Sequence, residues 1–70
     1  MKRYIYRGKI LFIASGQRDG EKFFTTFFKD SKGFKRPLFF NEELVRRETA
    51  EEAQRDLDEF ARVRKLKEAE

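Results

Sequence analysis

The chain has no cysteine and no histidine, and these two absences narrow its chemistry. Without cysteine no disulfide can stabilise a domain of 70 residues, which indicates a reducing compartment, the cytoplasm. The usual zinc ligands are missing, as are the side chains that most often act as nucleophile or base near neutral pH. The four glycines stand singly, so there is no glycine-rich phosphate loop. We therefore expect a protein that is not an enzyme and that holds no metal or cofactor.

Long apolar runs are lacking too. No segment approaches the roughly 20 apolar residues that a membrane-spanning helix needs. Arg7 and Lys9 interrupt the apolar run that a signal peptide would require after Met1-Lys2-Arg3. The sequence therefore predicts a cytoplasmic protein without a membrane partner, in one domain spanning residues 1–70.

Charge is abundant and unevenly distributed. Residues 1–36 carry ten Lys or Arg and three acids, a formal charge of +7, whereas residues 37–70 carry seven bases and ten acids, a formal charge of −3. Such a dipole could steer an anionic partner onto the basic half. The alternative is that these bases only keep strand edges and turns soluble.

Phenylalanine is concentrated in the segment Lys22–Lys29, which reads KFFTTFFK. Side chains of a strand alternate between the two faces of a sheet, so Phe24 and Phe28 share one face and Phe23 and Phe27 the other. A strand with aromatic residues on both faces belongs in the middle of a sheet. Which pair faces the covering helix stays open at this point.

Three strands are predicted, at residues 3–15, 21–29 and 34–40, because β-branched and aromatic residues alternate there between turn signals. Asp19-Gly20 indicates a hairpin turn between the first two, and Pro37 favours an edge position for the third. The first strand has two interpretations. We favour one long strand kinked at Gly8; the alternative is a short hairpin that turns at residues 7–9. The long strand would place these uncharged residues on one face: Tyr4, Tyr6, Ile10, Phe12 and Ala14.

A C-terminal helix is predicted over residues 50–67. Thr49 and Glu52 fit the capping box that begins many helices. The helix has one apolar face, formed by Ala50, Ala53, Leu57, Phe60 and Ala61. Residues 64–70 are expected to fray or to reach a partner. Residues 41–48 fit a short helix capped by Asn41, a short fourth strand at Leu44-Val45 or an extended connection.

Together these elements predict an α+β fold, a three-stranded antiparallel β-meander (four-stranded if the segment near Leu44 joins it) packed against one C-terminal helix. The layout, with Thr49-Ala-Glu-Glu-Ala53 opening the helix, resembles the arm-type DNA-binding domain of phage and transposon integrases over roughly residues 4–63. That resemblance implies a small, free-standing phage or prophage type of protein that places its sheet in the DNA major groove. The sequence departs from the family on the outer sheet face, where phenylalanines replace polar and basic residues.

Aromatic and basic residues interleaved along the strands favour nucleic-acid binding, with DNA favoured over RNA. The candidate phosphate-binding residues are Arg3, Arg7, Lys9, Arg18, Lys22, Lys29, Lys32, Lys35 and Arg36. The candidate aromatic platform consists of Tyr4, Tyr6, Phe23 and Phe27. The alternative is a homodimer or another protein complex that uses the same exposed aromatic face.

Overall fold

The computed structural model describes residues 1–38 and 43–69 and confirms the α+β class. One helix packs on one face of an antiparallel sheet of five strands, two more than the meander predicted, in the order β4-β3-β2-β1-β5. The elements are β1 (Arg3–Tyr6), β2 (Lys9–Arg18), β3 (Glu21–Lys29), β4 (Lys35–Pro37), α1 (Ala50–Arg64) and β5 (Lys67–Ala69).

The favoured long first strand is wrong, because the chain turns back at Arg7-Gly8. Tyr6 pairs with Lys9 across this two-residue turn, and both turn residues have positive φ, 51° for Arg7 and 77° for Gly8. These values fit a type I′ turn, whose twist matches that of the flanking strands. The turn shifts the alternation, so Tyr4 lies beside Leu11 and the expectation that Tyr4 shares a face with Phe12 is wrong as well.

The second strand prediction agrees with β3 at both ends, and Asp19-Gly20 forms the expected hairpin turn with φ of 53° and 82°. The loop from β3 to β4 is organised by Asp30, whose carboxylate accepts hydrogen bonds from the backbone N–H of Lys32 and Phe34 and from Arg36 Nε. Partial burial works to raise the pKa of Asp30, but these three donors together hold it below its usual value.

The connection from β4 to α1 is described from residue 43 onward, so the proposed Asn41 cap lies outside the described residues. Leu44 is buried, and Arg47 forms one isolated antiparallel bridge with Phe24, with two backbone hydrogen bonds of 2.8 Å. This segment therefore lies along β3 beyond the end of β4. In its described part it forms neither the short helix nor the fourth strand, and it agrees with the third alternative, an extended connection.

The start of α1 agrees with the capping prediction. The N–H of Glu52 donates to the hydroxyl oxygen of Thr49 at 3.2 Å, and that hydroxyl donates to the Glu52 carboxylate at 2.9 Å. The buried residues of the helix are Ala53, Leu57, Phe60 and Ala61, all on the predicted apolar face.

The end of the helix differs from the prediction. Lys65 adopts the left-handed conformation with φ of 54° and caps the helix, its N–H donating to the carbonyls of Ala61 and Arg62. The chain then forms β5, which pairs with β1 from Arg3↔Ala69 to Ile5↔Lys67. The C-terminal segment thus completes one edge of the sheet in place of fraying.

The core lies between α1 and the sheet. Its buried cluster contains Tyr4, Leu11, Leu44, Leu57, Phe60 and Ala61, and Phe28 packs against it. This contact answers the question that the sequence left open. Phe24 and Phe28 lie on the side of the sheet that faces α1, and by alternation Phe23 and Phe27 lie on the opposite side.

Candidate functional site

The sheet face turned away from α1, called the outer face below, is the most distinctive surface of the protein. Strand register assigns its residues. From the five strands in chain order they are Arg3, Ile5, Ile10, Phe12, Ala14, Gly16, Arg18, Glu21, Phe23, Thr25, Phe27, Lys29, Lys35, Pro37, Lys67 and Ala69.

Two neighbouring rows of this face cross the sheet. The pairings Lys35↔Lys29↔Ile10↔Ile5↔Lys67 form one row, with a lysine on each edge strand and two isoleucines between them. The next row contains the pairings Phe12↔Phe27↔Pro37, and Arg3 lies on the β1 side of Phe12. An apolar centre is therefore flanked by cations at the sheet edges.

Phe12 and Phe27 form the aromatic pair at this centre. Their ring centroids are 6.3 Å apart with an interplanar angle of 31°, and both side chains are only partly buried. The ammonium of Lys35 lies 5.6 Å from the Phe12 centroid. This is the distance range of a cation–π contact, so the aromatic pair already attracts positive charge.

A second aromatic position lies further along β3, at Phe23. Its ring covers Gly16 on β2, where an added Cβ would lie only 2.6 Å from the Phe23 Cζ atom. The guanidinium of Arg46 is 5.3 Å from the ring centroid. Between the two aromatic positions lie only Ala14 and Thr25, two small side chains, and a groove of about 400 Å³ opens beside Phe23. The groove is lined by Arg18, Glu21, Phe23 and Arg46 among others, and Thr25 is buried, with its Oγ1 against the carbonyls of Leu44 and Val45. The outer face thus has two aromatic positions with a groove beside the second.

The charges of the outer face are unbalanced. Its strands carry five bases and a single acid, Glu21, and Arg46 adds a further base next to Phe23. Within the described ranges, the ion pairs join other residues: Lys2–Glu68, Arg36–Asp30, Arg47–Asp56, Arg62–Glu59 and Arg64–Glu43. The bases of the outer face consequently keep their charge available for an external anion.

The Lys and Arg residues predicted from the sequence to bind phosphate lie in three different places in the structure. Four of them lie on the outer face: Arg3, Arg18, Lys29 and Lys35. Lys9, Lys22 and Arg36 lie on the side that faces α1, where Lys9 and Lys22 are 5.7 Å and 5.4 Å from the rings of Phe28 and Phe24. Arg7 and Lys32 lie in turns.

The proposed aromatic platform is divided in the same way. Phe23 and Phe27 lie on the outer face, whereas Tyr4 and Tyr6 lie under α1. Tyr4 is buried and donates a 2.7 Å hydrogen bond to Asp58, and Tyr6 contacts Phe60 edge-on with centroids 5.4 Å apart. Burial first, then this hydrogen bond and the charges of Asp58 and Glu68, raise the pKa of Tyr4 to about 12. The two tyrosines are therefore not part of the candidate site.

Sequence reasoning missed three residues of the candidate site, two on the outer face and one beside it. Phe12 was assigned to the face of Tyr4 because the turn at Arg7-Gly8 was not favoured, although Gly8 was the signal for it. Lys67 was placed in the helix, and Arg46 lay in the segment that the sequence left unassigned. The structure adds all three to the candidate site.

Comparison with known proteins gives no relative for this chain: no family model matches it, and neither the curated proteins nor the solved structures contain a significant match. Among the described residues, no helix has the length and apolar character needed to cross a bilayer.

Proposed function

We propose that the protein is a non-catalytic module that binds nucleic acid through the outer face of its sheet. The observation that supports this most strongly is the combination, on one face, of partly exposed aromatic rings with Lys and Arg side chains that form no ion pair in the described part of the chain. The phosphates of a nucleic acid neutralise the Lys and Arg side chains, and its nucleobases provide flat stacking partners for the aromatic rings. The resemblance in layout to integrase arm-type domains favours DNA over RNA as the ligand. The proposed location is the cytoplasm, where both are present.

The arrangement of charge fits a chain-like anion better than a small one. Lys35 and Lys67 lie on opposite edge strands of the sheet, and Arg18 lies at the far end of β2. Neighbouring strands are about 4.8 Å apart, so the two edge lysines are separated by roughly 19 Å. A single phosphate cannot span these bases, whereas a polynucleotide backbone passes several of them.

The test exploits lysines that the sheet places on opposite faces. Lys29 and Lys35 lie on the outer face, and Lys9 and Lys22 lie on the α1 side of the same sheet. We compare the double variant Lys29→Ala/Lys35→Ala with the control Lys9→Ala/Lys22→Ala, which removes the same charge. Affinity for a labelled mixed-sequence oligonucleotide is measured by fluorescence anisotropy over a series of salt concentrations.

The outer-face variant should bind more weakly and with a smaller salt dependence. The logarithm of the affinity falls as the logarithm of the salt concentration rises. Each lost phosphate contact makes this slope shallower, by about 0.7 on a single strand and about 0.9 on a duplex. The control variant should keep the slope of the wild type. If both variants lose affinity equally, binding follows net charge alone and the outer face is not the site.

The apolar centre of the outer face also supports a second candidate, a homodimer that buries this face. Ile5 is 45% exposed, and exposed apolar patches often mark interfaces. Two copies packed face to face would bring their unpaired lysines together, which opposes association at low salt. Sedimentation velocity distinguishes the candidates: a dimer that Phe27→Glu converts into a folded monomer favours this second function, and a monomeric wild type excludes it.

A further inference from the structure

The side chains in the middle of the outer face do not suit reading of a duplex. Groove readout relies on side-chain donors and acceptors that reach base edges, above all Arg, Asn and Gln. The positions inside the outer face are occupied by Phe12, Ala14, Gly16, Phe23 and Phe27, all without polar side-chain atoms. Thr25, the one hydroxyl among them, directs its Oγ1 toward the carbonyls of Leu44 and Val45. In the described part of the chain, the centre of this face therefore offers no free group for hydrogen bonding to base edges.

The same positions suit the nucleobases of a single strand, which are not paired with a second strand. Phe27 and Phe23 are four residues apart on β3, which separates the two aromatic positions by about 13 Å. The side chains between them, Ala14 and Thr25, are small, and both aromatic positions remain partly exposed. Every nucleobase has a π face, so rings at this spacing can stack bases of one strand without selecting a sequence.

Lysine and arginine side chains lie beyond both aromatic positions, where they can bind the phosphate backbone of a strand that passes over the two positions. Lys29 and Lys35 lie beyond Phe27, and Arg18 lies beyond Phe23. Lys35 and Arg46 already contact aromatic rings, so a stacking base must displace them. An exposed cation–π contact contributes about 2- to 5-fold in an equilibrium constant, whereas base stacking contributes about 5- to 150-fold per base. Stacking is therefore the stronger interaction, and a cation displaced from its ring can pair with the phosphate backbone instead.

We infer that the ligand is a single-stranded polynucleotide whose bases stack on the Phe12–Phe27 pair and on Phe23. The inference rests on the proposed function and specifies its ligand. It differs from what the resemblance to integrase arm-type domains implies, because those domains place their sheet in the groove of a duplex. The apolar centre of the outer face is the feature that separates the two modes of binding.

The experiment measures affinity for three labelled ligands of equal length: a DNA single strand, an RNA single strand, both of mixed and unstructured sequence, and a DNA duplex. The key variants are Phe27→Leu and Phe12→Leu, which keep apolar bulk but remove the ring. Phe28→Leu is the matched control, since Phe28 neighbours Phe27 on β3 but packs on the core under α1. Phe27→Tyr restores a ring at the site. Circular dichroism and urea unfolding establish that each variant is folded.

We expect at least one single strand to bind more tightly than the duplex. Phe27→Leu and Phe12→Leu should each weaken single-strand binding by about 5- to 150-fold, whereas Phe28→Leu and Phe27→Tyr should retain it. Tighter binding of the duplex, or full affinity of the two outer-face leucine variants, would overturn the inference. If Lys29→Ala/Lys35→Ala still weakens binding in that case, the proposed function stands with a duplex as ligand. If none of the three ligands binds at low salt, the proposed function itself fails.

Discussion

The two faces of the sheet differ in how completely their large apolar side chains are covered. On the face toward α1, Leu11 is 1% exposed and Tyr4 donates a hydrogen bond to Asp58. On the outer face, Ile5 is 45% exposed and Lys29 has no ion-pair partner in the described chain. Because side chains alternate along a strand, β2 and β3 contribute to both faces at once. The face toward α1 contributes the core that stabilises the fold, and the outer face is the one that we propose to bind a ligand.

The largest expected difference between the faces is in stability. Leu57→Ala opens a cavity at a fully buried position and should lower the free energy of unfolding by about 2–5 kcal/mol. Phe27→Ala removes a partly exposed ring and should cost less, about 1–2 kcal/mol. Urea unfolding of both variants measures the difference. Equal losses would mean that the outer face is covered as completely as the core.

A second prediction concerns the pH dependence of the hydrogen bond between Tyr4 and Asp58. Tyr4→Phe removes a donor to a carboxylate and should cost about 1.5–3 kcal/mol at pH 8. The pKa of Tyr4 is raised from 10.0 to about 12 in the folded protein, so the protonated phenol is favoured by folding. This contribution is fully present below about pH 10 and is lost as the pH rises toward 12.

The measurement is the stability difference between wild type and Tyr4→Phe, taken from urea unfolding at several pH values between 8 and 12. Because both proteins share every other titrating group, their difference isolates Tyr4. The gap should narrow as the pH increases. A gap that stays constant through pH 12 would show that folding does not raise the pKa of Tyr4.

Thr26 provides a smaller test of the core face. Its side chain is buried, 1% exposed, and its hydroxyl has no hydrogen-bond partner in the described part of the chain. Thr26→Val keeps the shape and removes the unsatisfied polar atom, so it should stabilise the protein by about 1 kcal/mol. Thr25→Val is the contrasting variant, because it loses the contacts of Thr25 Oγ1 with the carbonyls of Leu44 and Val45. Stabilisation by the Thr25 change as well would contradict this distinction.

The smallest expected effect is at the turn that sets which side chains face outward. Arg7 has φ of 51° in the type I′ turn, a conformation that Asn adopts more readily than Arg. Arg7→Asn should therefore raise the free energy of unfolding by about 0.5 kcal/mol, which thermal unfolding detects as a slightly higher midpoint temperature. Lower stability would indicate that the contact of Arg7 with the Tyr6 ring outweighs the turn preference.

Local signals were sufficient where neighbouring residues decide the structure. Asp19-Gly20 and the aromatic alternation predicted β3 with its observed bounds, and Thr49 with Glu52 predicted the start of α1. These features depend on turn chemistry and capping within a few residues of each other, so the sequence alone contains the necessary information.

Long-range pairing decided the parts that could not be predicted. Residues 65–69 consist mainly of good helix formers, yet Lys65 ends the helix and Lys67–Ala69 pairs with β1, more than sixty positions earlier in the chain. At Gly8 a kinked strand and a hairpin both fitted the pattern, and the choice between them reverses which residues face outward. The candidate site was therefore predicted only in part. Phe23 and Phe27 were found, whereas Phe12 was assigned to the wrong face.

The most direct test of the central claim is a carbon-resolved NMR spectrum of the aromatic rings, recorded during titration with a single-stranded oligonucleotide at low salt. The rings of Phe12, Phe23 and Phe27 should shift with the ligand, and the shifts should diminish as salt is added. The rings of Phe28 and Phe60, on the other side of the sheet, should remain unchanged. Shifts confined to those core rings, or no ring shifts at saturating ligand, would contradict binding at the outer face.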